Sequence, residues 1–94
     1  MRKVFRSSRF TRSYKKFVHR YPFLKTKIDS TIKEMEVDVF AKPLETHKLS
    51  GELYGLLACT CGYDCRIVFS IEKEQDNTNE FIVLVDIGTH DEVY

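Results

Sequence analysis

A histidine placed just beyond an apolar strand is well positioned to move a proton, because a rigid scaffold fixes where its imidazole sits. In this chain the run Phe81-Ile-Val-Leu-Val-Asp-Ile87 meets a glycine break at Gly88, and His90 and Tyr94 follow. A surface histidine in a turn is the other reading of His90. His47 lies in a polar loop, three residues ahead of Ser50-Gly51. Loop imidazoles between rigid elements are natural acid–base groups, since this side-chain type titrates near neutrality. Arg66 opens an alternating stretch in which Arg66, Val68 and Ser70 share one face and Ile67, Phe69 and Ile71 the other. That places Arg66 opposite the apolar face, beside the turn carrying Asp64. A strand-borne guanidinium can grip a phosphate through two parallel hydrogen bonds, with a surface salt bridge as the alternative. His19 falls among the cations of the first helix and is expected only to be solvated.

Cys59, Cys61 and Cys65 lie within seven residues of one another. Three cysteines, with no apolar export signal at the N-terminus, argue against a disulfide framework. The Cys61-x3-Cys65 spacing is one that zinc sites allow, with Cys59 as a third ligand, but no fourth ligand is evident. Cys59 and Cys61 share a strand face, where small apolar thiols fill space. Reduced, packed cysteines are the expectation, with no metal and no cofactor.

These groups must be held by 94 residues, a length for one domain spanning 1–94 that buries somewhat over ~60% of its unfolded surface. The composition, 43% hydrophobic and 31% charged, is that of a soluble globule, and no apolar run approaches the ~20 residues of a membrane span. A cytoplasmic location is expected. The net charge of +1 hides an asymmetry: residues 1–27 hold ten Lys or Arg and no acid, so +10 in one part balances −9 in the other. Such a block points either to a polyanionic partner such as nucleic acid or to a solvated helix face.

Residues 2–6 alternate as a short strand. Phe10, Tyr14, Phe17, Val18 and Tyr21 then recur at helical spacing, with Arg9, Arg12 and Lys16 on another face and Ser8 or Thr11 as the cap. Pro22 ends this helix. Leu24, Ile28, Ile32, Met35 and Val39 mark a second one running to about Phe40, before Lys42-Pro43. A loop over 43–52 precedes strands at about 53–60, 65–72 and 80–87, with turns at Gly62-Tyr-Asp64 and Glu74–Asn79. The last strand is apolar on both faces and is expected inside the sheet. The predicted class is α+β, in the order β-α-α-β-β-β, a helical hairpin packed on one side of a mainly antiparallel twisted sheet.

Three blocks, Thr46-His-Lys-Leu-Ser-Gly51, Gly62-Tyr-Asp-Cys-Arg-Ile-Val-Phe69 and Asp86-Ile-Gly-Thr-His-Asp-Glu-Val-Tyr94, together with this element order, resemble the RelE/ParE superfamily of toxin–antitoxin toxins, and within it the YafQ-like mRNA interferases. The blocks span about half the chain; the helices match in layout more than in sequence. The resemblance implies a ribosome-dependent endoribonuclease that inhibits translation and is held by a cognate antitoxin. It also implies mRNA and the ribosome as partners, no membrane, and operator DNA contacted only through the antitoxin. It maps catalytic roles onto His47, Asp64, Arg66, His90 and Tyr94; the basic face of Arg9, Arg12 and Lys16, with Lys48, then has a partner either in RNA of the ribosome or in an acidic antitoxin segment. YafQ-like sequences can carry a further histidine near the position of Thr60, where this chain has Cys59-Thr-Cys61. On this reading His47, supported by Asp64, takes the proton of the RNA 2′-hydroxyl and His90 protonates the leaving oxygen. Arg66 holds the phosphate and Tyr94 orients or stacks on a base. Two rivals stay open: a gyrase-binding toxin of the ParE branch, whose members lack the histidine set, and an inactive toxin homologue kept for antitoxin binding and autorepression.

Overall fold

The computed structural model describes residues 1–76 and 78–94; Asn77, within the expected Glu74–Asn79 turn, lies outside the described residues. The chain runs β1 (Lys3–Arg6), α1 (Ser8–Arg20), α2 (Lys25–Asp38), β2 (His47–Lys48), β3 (Leu57–Thr60), β4 (Arg66–Lys73), β5 (Glu80–Gly88) and α3 (His90–Val93). The five strands form one sheet in the order β1-β5-β4-β3-β2, with β1 parallel to β5 and every other pair antiparallel. This is the expected α+β architecture, with β5 internal as its two-sided apolar character required. A two-residue strand and a C-terminal helical turn are added to it. Among the described residues no helix is long and apolar enough to cross a membrane.

Helix α1 forms because its apolar residues fall on one stripe: Phe10 and Phe17 are buried and Tyr14, Val18 and Tyr21 pack beside them. Each such aromatic removes enough surface from water to contribute ~1.5–3 kcal/mol. The cap is Ser7 rather than Ser8 or Thr11. β1 ends at Arg6, so Ser7 takes the extended conformation a cap needs, and its hydroxyl accepts from the Phe10 amide at 3.0 Å. Thr11 instead donates to the Ser7 carbonyl at 3.1 Å. A 3-10 turn at Pro22–Leu24 makes the corner, so Leu24 precedes α2 rather than belonging to it. Ile28, Ile32 and Met35 face the sheet; α2 stops at Asp38, and Val39 is still fully buried while Phe40 is exposed.

Under the helices the sheet presents Cys59, Ile67, Phe69, Ile82, Leu84 and Ile87 to a single core. The register pairs Phe69 with Leu84 but Val68 with Asp86, so Val85 is an extra residue in β5. This bulge flips the parity of the strand. Ile82 and Leu84 face the helices before it and Ile87 after it, opposite Ile67. The strand expected from residue 53 begins only at Leu57, because the backbone ahead of it is used in local turns: the Leu53 amide bonds Ser50 and the Leu56 amide bonds Leu53, at 3.3 and 3.0 Å. The expected 43–52 loop contains β2, whose His47 and Lys48 pair with Ala58 and Leu57.

Candidate active site

The site lies where β2, the β3–β4 turn and α3 meet at one end of the sheet. The turn is built by Gly62, at φ 126°, a conformation that a side chain resists, and by Asp64, a rarer non-glycine case at φ 50°. It is pinned internally: the Cys61 amide donates to the Cys65 carbonyl at 3.0 Å, and the Thr60 hydroxyl donates to the Gly62 carbonyl at 3.0 Å. Cys61 and Cys65 are bonded as a disulfide, with Cα atoms 5.1 Å apart. This corrects the expectation of reduced, packed thiols, which holds for Cys59 alone. The reversal at Gly62 and Asp64 brings both strand ends to bonding range and turns both side chains into the core. Cys59 is fully buried against Met35, and burial pushes its thiol up to about 12. With Cys61 and Cys65 bound to each other, no three-thiol zinc set remains.

Asp64 projects from that turn to α3. Its carboxylate accepts the His90 backbone N–H at 3.0 Å, which ties the β3–β4 turn to the start of α3. α3 is one short turn with a complete capping box: the Thr89 hydroxyl accepts from the Glu92 amide at 3.3 Å, and the Glu92 carboxylate accepts from the Thr89 amide at 2.9 Å. The Thr89 backbone bond, helped by Arg20 at 2.9 Å, holds the Glu92 carboxyl below its ordinary range. Glu92, Thr89 and Arg20 were not singled out in the sequence, although Thr89-x-x-Glu92 carries the capping-box signature.

Tyr94 stands between the two imidazoles. Its ring centroid is 4.5 Å from that of His90 and 6.4 Å from that of His47, edge-on to both. His47 is exposed on β2, and its Nδ1 lies 3.0 Å from the Glu45 carbonyl. A carbonyl only accepts, so in this bond Nδ1 is the donor, and in the neutral tautomer that makes it, Nε2 is the acceptor. Partial burial raises the Tyr94 phenol above its ordinary value, against the opposing pull of the Arg66 cation, so at neutral pH it is a protonated donor. Arg66 is half-buried; one of its terminal nitrogens donates to the Cys65 carbonyl at 3.1 Å and to the Thr60 hydroxyl at 3.4 Å. Its other guanidinium N–H groups have no protein acceptor among the described residues. Thr60, noted in the sequence only as a departure, is thus the side chain that steers Arg66. An open cleft of about 770 Å³ runs from His47 and Lys48 to Asp91 and Tyr94.

The structure therefore gathers His47, Asp64, Arg66, His90 and Tyr94 at one end of the sheet, with Lys48 exposed beside His47. The basic residues of α1 divide. Arg9 is bound to the buried carboxylate of Asp86 at 3.1 Å, whereas Arg12 and Lys16 are exposed. Lys16 and Arg20 border a cleft of about 360 Å³ that reaches Glu92 in α3, so this edge of the cationic helix adjoins the site.

No family model and no curated protein sequence matches the chain. Solved structures do. YafQ from E. coli BL21(DE3) superposes with a TM-score of 0.79 at 12% identity, covering 100% of this chain and 99% of that one. A YoeB/ParE toxin from Agrobacterium tumefaciens gives 0.74 at 15% identity, covering 94% and 98%. A chain of the E. coli DinJ–YafQ toxin–antitoxin complex gives 0.76 at 14% identity, covering 99% and 97%. The fold is thus that of the YafQ and YoeB/ParE toxins, end to end.

Proposed function

We propose that this chain is the toxin of a toxin–antitoxin pair and an endoribonuclease that cuts translated mRNA on the ribosome. The carrying observation is the pair of imidazoles on either side of one protonated phenol, close to an arginine with unused donors. His47 Nε2 removes the 2′-hydroxyl proton, and the oxygen attacks the adjacent phosphorus. The bond to the 5′-oxygen breaks as the His90 imidazolium delivers a proton to it, leaving a 2′,3′-cyclic phosphate and a 5′-hydroxyl. Each positioned proton-transfer group is worth ~10²–10⁴-fold. The Arg66 guanidinium neutralises the charge that builds on the non-bridging oxygens. Asp64 positions His90 through its backbone, and Tyr94 donates a hydrogen bond or stacks on a base.

Lys48, Arg12 and Lys16 supply contacts to RNA phosphates, so binding falls steeply with salt. An antitoxin partner is supported by the DinJ–YafQ complex among the structural neighbours. Induced expression of the wild type and of His47→Ala, His90→Ala and Arg66→Ala, with primer extension on translated messages, tests the reading. Cuts that appear with the wild type and vanish in the variants are expected. Growth arrest with intact messages, unchanged in the variants, would overturn it.

A further inference from the structure

Around the corner from His90 lies a third, apolar cleft of about 300 Å³, lined by Tyr21, Phe23 and Leu24 at the helical corner and by Tyr63, Asp64 and Thr89 at the site end. Two of its aromatic rings are almost bare: Tyr63 is 97% exposed and Phe23 78%. Tyr63 is the turn residue next to Asp64, and an added Cβ at the adjoining Gly62 would lie in ordinary contact with the side chains of Lys27 and Leu24, at 3.7 and 3.9 Å. The cleft is therefore formed by two segments far apart in sequence, and its floor continues into the site through Asp64 and Thr89, whose neighbour is His90. Aromatic surface this exposed is a binding surface more than a contribution to folding.

Its occupant follows from charge and shape. The aromatic rings are bordered by the cationic stretch that ends at Lys27: Arg20 lies 5.0 Å over the Tyr21 ring, and Lys25 and Lys27 follow Leu24 directly. Arg20 and Lys25 are each paired with one carboxylate, whereas Lys27 is exposed on the surface beside the turn. Flat rings inside a cationic rim bind a single nucleotide whose base is unstacked, the ring taking the base and the cations its phosphates. We infer that Tyr63 and Phe23 form a base-stacking subsite for a nucleotide flanking the scissile phosphate of single-stranded RNA. This inference rests on the ribonuclease reading for its choice of RNA. A protein segment filling the same cleft is the competing occupant.

The test uses the full chain and a short single-stranded RNA blocked against cleavage by 2′-O-methyl groups, with an abasic residue walked through successive positions. Tyr63→Ala and Phe23→Ala are each expected to weaken binding about 10-fold, the effect of losing one base–aromatic stack. Tyr63→Phe is expected to bind like the wild type. At one abasic position the wild type should lose the same factor, and Tyr63→Ala should cost nothing further. Unchanged affinity in the alanine variants would overturn the subsite, even if messages are still cut. A loss that is the same on intact and abasic RNA would overturn it too, as would lost binding of the antitoxin with RNA affinity intact. If the stacking pattern appears but no message is cut, the subsite stands and the nuclease reading fails.

Discussion

The two imidazoles of the site are held in opposite ways. His90 begins a helical turn whose cap is closed in both directions by Thr89 and Glu92, whose amide is taken by Asp64, and whose ring abuts Tyr94. His47 rests on a two-residue strand and one bond to a carbonyl two residues away. The first arrangement fixes position in advance; the second fixes only which nitrogen is free. On the proposed mechanism the leaving group has one location, set by the phosphate that Arg66 would hold. The incoming hydroxyl comes with a flexible ribose, and an adaptable base can follow it. The contrast therefore assigns preorganisation to the acid side and tolerance to the base side.

The largest test of that contrast is His90→Ala, expected to lower cleavage by ~10²–10⁴-fold with little change in melting temperature. Equal cleavage by the variant would break it. Next is Gly88→Ala. A Cβ there would lie 3.1 Å from the Glu92 Cβ and 3.2 Å from Val93 Cγ1, so these side chains of α3 must give by a few tenths of an ångström. A displacement of that size should cost less than the ~10²-fold in rate that a 1 Å misplacement costs, with overpacking costing ~1–3 kcal/mol of stability. Kinetics together with a denaturant melt separates the two. Thr89→Ala should remove ~1 kcal/mol of capping, lowering the melting temperature by ~4–8 °C; the same change at Thr46, beside His47, should spare the acid step.

The smallest effect is in pH. The Glu92 carboxyl lies below its ordinary 4.5 in the folded chain, so its contribution to stability is present above that value and is lost as pH falls through the depressed one. Acid titration of the wild type against Glu92→Gln should show a flatter stability profile in the variant. Tyr94 behaves inversely: its raised value means stability present below 10.0 and lost at higher pH. A separate count checks the turn. Denatured protein without reductant should expose one reactive thiol, and with reductant three.

The helices and the long strands were legible because burial writes a period into the chain: 3.6 along α1 and α2, two along β4. β2 was not, since two exposed residues carry no alternation and pair only because Ala58 and Leu57 come alongside. The bulge at Val85 is equally silent, as apolar residues on both sides of it hide the change of parity. His47, Arg66 and His90 could be chosen by type and place. What the residues alone could not tell is that Asp64 serves His90, because that bond spans 26 positions and depends on the fold. The Cys61–Cys65 bond was missed for the opposite reason. An odd count of cysteines outweighed a local cue, four residues' spacing across a tight turn.

The parallel pairing of β1 with β5 has a consequence in time. Lys3 to Arg6 find their partners at Phe81 to Leu84, the last long strand to be made. During synthesis β1 waits, edge open, until β5 has been made, and contacts of this separation close slowly. α3 and the Asp64–His90 bond come later still. On the proposed function, the site is incomplete until β5 and α3 have been made, because His90 and Tyr94 follow every other group assigned to it.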